Sequence, residues 1–101
     1  MQLYALATVI RSKNAGPFTL TIDLMFDDEA TFRRVLNAPA LTSESVAALY
    51  GVAPDRVRVH AFDKIRTIKV SMPRLVGSGA PGDRDVYGSQ QHFPLAGVSI
   101  P

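Results

Sequence analysis

Phe18-Thr-Leu-Thr-Ile-Asp-Leu-Met-Phe26 decides how this chain is read. Phe18, Leu20, Ile22, Leu24 and Phe26 fall on one side of an extended backbone, and Thr19, Thr21, Asp23 and Met25 on the other. That alternation specifies a strand in a sheet with one buried face. The period then changes. Asp27-Asp28-Glu29 puts negative charge where a helix exposes its free amides and the positive end of its dipole. Phe32, Val35 and Leu36 supply that helix's apolar stripe, and Pro39 stops it. Leu41-Thr-Ser-Glu-Ser-Val46 starts a second helix, with Thr42 as cap and Leu41 stapled to Val46. Ala47, Leu49 and Tyr50 continue it, and Gly51 ends it.

Beyond the helices, Arg56 to Phe62 and Arg66 to Met72 alternate again. Val57, Val59 and Ala61 point inward from the first run, Ile68, Val70 and Met72 from the second. Joined at Asp63-Lys64 and ended by Pro73, they read as an antiparallel hairpin. Upstream of the decisive strand, Leu3, Leu6, Ala7 and Ile10 recur at helical spacing, while Thr8-Val9-Ile10 favours extended backbone. A short helical turn running into extended chain satisfies both. Arg11-Ser-Lys-Asn-Ala-Gly-Pro17 reads as a polar turn with two cations. Gly77 to His92 fits neither period; it holds four of the seven glycines, two of the nine acids and one of the two histidines, as a functional loop does. Leu95 to Ile100 reads as a last short strand.

Residues 1–101 form a single α+β domain on this reading. The expected fold is a two-layer, ferredoxin-like sandwich: a mainly antiparallel four-stranded sheet, two helices, and a long glycine-rich loop before the last strand. Such a sheet leaves one face bare. Thr19, Thr21, Arg58, His60, Phe62, Thr67 and Lys69 stand on it, where a partner chain can cover them.

Composition excludes several functions. The chain has no cysteine, hence no disulfide framework, thiolate metal site or thiol nucleophile. Its net charge of +2 comes from 11 basic and 9 acidic residues, scattered without a run of five. Nucleic-acid binding calls for a dense basic stripe with interleaved aromatics, so it is not expected. No apolar run approaches the ~20 residues of a membrane span, and apolar Met1 to Ile10 lacks the basic leader of a signal peptide. A cytoplasmic protein that binds neither membrane nor nucleic acid is expected.

Two polar stretches carry candidate chemistry. Arg11 offers a two-pronged donor, Lys13 a point charge, and Ser12, Asn14 and the Gly16 amide short-range contacts, a set suited to a carboxylate or phosphate. The plainer reading is a solvated turn. Asp83, Asp85 and His92 form an acid–base set, against which stands the plainer reading of loop-capping aspartates and a structural histidine. No glutamate closes a calcium loop and no His-x-x-x-His pair occurs, so no metal is expected. Tyr87, Gln90 and Gln91 suit a substrate pocket or a subunit interface alike.

Leu3-Tyr4, Arg11-Ser-Lys-Asn-Ala-Gly-Pro17, Phe26-Asp-Asp28, Leu49-Tyr-Gly51 and Gly82-Asp-Arg-Asp-Val-Tyr-Gly-Ser-Gln-Gln-His92 with Pro94-Leu95 resemble a bacterial family of unknown function, domain-of-unknown-function family 4387. The resemblance covers nearly the whole chain. It implies a gene beside a larger protein of the acyclic terpene utilisation type, AtuA-like. The chain is also similar to the ferredoxin-fold domain that ends some AtuA-like proteins, although Lys13-Asn14 stands where that domain has glycine-aspartate. The resemblance supplies the fold and the partner, not a reaction; with two polar, glycine-bearing loops on a domain too small for a deep cleft, the expected function is an oligomeric small subunit of a two-component lyase or hydratase acting on a small carboxylic or hydroxy acid or its acyl-CoA, cofactor open. On it, Arg11, Ser12, Lys13 and Asn14 hold the anion, Asp83, Asp85, Tyr87 and His92 line the site, and Gln90 and Gln91 bond substrate or large chain. Arg11–Gly16 and Gly82–His92 are then expected side by side. A non-catalytic homo-oligomeric ligand-binding or scaffold module is the alternative.

Overall fold

The computed structural model describes residues 1–15, 18–73 and 93–101. Helix α1 (Leu3–Leu6) leads into strand β1 (Val9–Asn14), which turns back into β2 (Thr19–Met25). Helices α2 (Glu29–Leu36) and α3 (Ser43–Tyr50) follow, then β3 (Arg58–Phe62), β4 (Thr67–Pro73) and the short helix α4 (Phe93–Ala96). The strands make one antiparallel sheet in the order β1-β2-β4-β3. β2 and β3 both run opposite to β4 and so parallel to each other, with α2 and α3 crossing between them. This split β-α-β unit is the ferredoxin-like signature, in a two-layer α+β sandwich.

The decisive strand sits at the centre. Leu20, Ile22 and Leu24 face the helices and meet Ile68, Val70 and Met72 of β4, Phe32 and Val35 of α2, and Val46 and Ala47 of α3, in one core. Asp28 caps α2: its carboxylate accepts from the Thr31 backbone N–H at 2.7 Å and from Thr31 Oγ1 at 3.0 Å. Those bonds, the backbone one foremost, hold the Asp28 carboxyl below the usual carboxylate range. Phe32 packs edge-on against Phe26, ring centroids 6.2 Å apart, with the Arg33 guanidinium 5.4 Å above its ring. Thr42 caps α3 through the Ser45 N–H, buried Leu41 and Val46 form the expected staple, and Gly51 closes the helix at φ 70°.

Three expectations are corrected. Arg11 to Asn14 is strand, not turn: the β-branched start at Val9-Ile10 carries the chain straight into register with β2. Leu95 to Ile100 is not a strand. Pro94 lies in the first turn of α4, where its missing N–H costs nothing, and the segment afterwards makes an isolated bridge to the N-terminal residues, Gln2 with Ser99. Leu3 N–H donates to Val98 O at 2.9 Å and Ile100 N–H to Met1 O at 2.7 Å. The fourth strand is therefore β1. Finally, the β3–β4 connection is a 3₁₀ turn, Asp63–Ile65, followed by Arg66 at φ 47°. That non-glycine left-handed residue is held by three bonds: its N–H to Asp63 O, its carbonyl from Phe26 N–H, and its Nε to Phe26 O. The glycine-rich segment lies outside the described residues.

Tyr50 joins the two ends of the helical layer, its hydroxyl accepting from the Leu95 N–H at 3.3 Å. Burial pushes its phenol up to about 12, against a slight opposing effect of that bond. The neutral phenol is favoured in the folded state, so Tyr50 contributes full stability below about pH 10. That contribution is lost as pH rises from ~10 through 12. Denaturant titrations of wild type and Tyr50→Phe between pH 9 and 12 are expected to show a steeper decline in the wild type; parallel curves count against the burial argument. Phe32→Ala is expected to remove about 3–5 kcal/mol in the same assay at neutral pH.

Candidate functional site

Both helices pack on one side of the sheet, and strand parity sends alternate side chains to the other. Across that open face the register lines up rows. One runs Arg11, Asp23, Lys69, His60; the next runs Lys13, Thr21, Ser71, Arg58; a third runs Val9, Met25, Thr67, Phe62. Every residue expected on the bare face is there. Among described strand residues it carries four cations, Arg11, Lys13, Arg58 and Lys69, against the single carboxylate of Asp23.

Asp23 is the face's singular residue. It is 7 % exposed although it points away from the helices, on a strand flanked on both sides. Its Oδ2 lies 3.5 Å from Arg11 Nε, while its Oδ1 is buried without a hydrogen-bond partner among the described residues. A buried carboxylate with one long contact is a poor stability device. It is a good anchor: the Arg11 side chain is 61 % exposed and is tethered at Nε, so its outer guanidinium edge faces solvent. Lys13 follows two residues on, about 7 Å along the same face. Lys69 leans over Phe62, its ammonium 6.0 Å from the ring centroid. The arrangement suits an anion or an acidic surface.

The expected anion set is divided by the pleat. Arg11 and Lys13 share the open face; Ser12, opposite Ile22, is buried on the core side and cannot join them on one ligand. Asn14 ends β1 opposite Leu20. Asp83, Asp85, Tyr87, Gln90, Gln91 and His92 lie outside the described residues, as does Gly16. No group of three His, Cys, Asp or Glu among the described residues is placed to hold a metal, and no described helix is long and apolar enough to cross a membrane. Sequence reasoning passed over Asp23. Its signal was present: a lone acid in a run of threonines and aliphatics, on a strand that proves central.

Fold and face together define a small ferredoxin-like α+β domain whose sheet, among the described residues, bears its cations on the side opposite the helices. Residues 3–99 match the family described as "Domain of unknown function (DUF4387)", and the chain belongs to that family. No curated protein and no solved structure matches it.

Asp23→Asn is expected to leave the fold intact and shift the thermal midpoint by no more than ~2 °C, since lost attraction and relieved desolvation offset each other. A fall of more than about 6 °C would show instead that the Arg11–Asp23 pair holds the sheet together.

Proposed function

We propose that this domain is the small subunit of a two-component bacterial enzyme, and that its open face meets a larger AtuA-like chain and the anionic end of that enzyme's substrate. The observation that carries the reading is the charge of the face: four cations around one buried carboxylate. Two such faces stacked on each other repel, which disfavours a homodimer through this surface and favours a partner bearing acids. The substrate class is a small carboxylic or hydroxy acid, or its acyl-CoA thioester, and the reaction a lyase or hydratase step. Arg11, oriented by Asp23, and Lys13 bind the anion. Asp83, Asp85, Tyr87 and His92 line the reacting end, and Gln90 and Gln91 bond substrate or large chain.

Co-purification of the two chains, followed by assay of the pair and of each chain alone, tests the proposal. Arg11→Ala is expected to lower the pair's activity about 10- to 100-fold with assembly intact, the loss of a charge-assisted contact. The double substitution Lys13→Glu/Arg58→Glu is expected to weaken assembly more than about tenfold, with a reduced salt dependence of binding. Full activity of the large chain by itself would remove the small chain from the reaction. Self-association of this chain that survives the charge reversal would favour a homo-oligomeric scaffold.

A further inference from the structure

We infer a second, separate binding site at the end of the sheet where β2 begins and β4 ends, selective for a small amphipathic monocarboxylate. Thr19 and Pro73 are register partners there, and Ser71 lies one pair further in. Together with Phe18, Met72 and Arg56 they line an open pocket of about 280 Å³. At the ~30 Å³ that a molecule the size of water occupies in the liquid, this accommodates roughly nine non-hydrogen atoms. Such a space suits an acid of about six carbons.

The lining is divided by chemistry. Phe18, Met72 and Pro73 are apolar, and Phe18 leaves 65 % of its surface in water, an exposure that an alkyl chain would relieve. Ser71 and Thr19 bring hydroxyls. Arg56 brings the charge, and it is the arginine left over. Among the described residues, Arg11 meets Asp23, and Arg33 meets Glu29 and Asp63. Arg34 donates to Pro101 O, Arg58 to the carbonyls of Asp55 and Val57, and Arg66 to Phe26 O. Arg56 alone of these makes no ion pair or side-chain hydrogen bond, not even with its neighbour Asp55. Arg56 is exposed, and a planar donor set not committed to a protein partner among the described residues, beside apolar lining, is how a carboxylate with a short hydrocarbon tail is recognised. This inference does not depend on the two-component reading; it concerns the isolated chain.

The test is an NMR titration of the full chain with hexanoate, hexanamide and acetate, following the backbone amides of Thr19, Ser71 and Met72 and the Nε–H of Arg56. Hexanoate is expected to shift these signals saturably. Hexanamide, the same shape without charge, and acetate, without the tail, are each expected to bind at least about tenfold more weakly. Arg56→Gln should weaken hexanoate about tenfold, while Lys64→Ala, which removes one positive charge from the turn at the other end of the hairpin, should leave it unchanged. Equal binding of acid and amide overturns the inference. So does hexanoate binding indifferent to Arg56→Gln, the largest shifts falling on Arg11 and Lys13, or no saturable shift at all.

Discussion

The structure depends on the burial of β2 on both faces. One face packs Leu20, Ile22 and Leu24 under the helices. The other holds Thr21 and Asp23 at 8 % and 7 % exposure between β1 and β4. A strand in this position has every backbone group committed to a neighbour. β1 and β4 are therefore set in register by it, and β3 through β4. The helices have only one sheet surface on which to bury Phe32, Val35, Val46 and Ala47. Every row of the open face is registered to this strand.

The arrangement makes a concentrated surface from a diffuse sequence. Arg11, Lys13, Arg58 and Lys69 are separated by up to 58 positions along the chain, from Arg11 to Lys69, and no basic run marks them. On the sheet they occupy adjacent rows around Asp23. The acids paired or bonded elsewhere, Asp28, Glu29 and Asp63, stand at a helix start or in the β3–β4 turn. Local charge at a surface, not net charge, steers a partner. A chain whose total is only +2 thus gathers four cations and one carboxylate on one side of the sheet among its described strand residues.

Where reading and structure part, the reason is competition between local and distant partners. Thr42, Leu41, Val46 and Gly51 were legible because each acts within one turn of its own helix. Leu95 to Ile100 was misread because its apolar residues satisfy a strand pattern as well as a helical turn and a return past the N-terminus. The bonds to Tyr50, Leu3 and Met1, all distant in sequence, decide between the two. Arg11 to Asn14 was misread the other way. Asn14 is a strong turn residue by type, but pairing with β2 across from Leu20 makes it the last residue of the strand.

The amino-acid order alone determined the period of β2, α2, α3, β3 and β4, the caps of both long helices and the core positions Leu20, Ile22, Leu24 and Phe26, since these follow from neighbours within a few positions; it did not foresee that Phe18 would be exposed or Thr21 and Asp23 buried. Folding decided which segment became the fourth strand, that Ser12 parts from Arg11 and Lys13, and that Asp23 stands between cations contributed by three strands. Those outcomes are set by register, and register is a property of two strands together: a shift of one residue would turn each of these side chains to the opposite face.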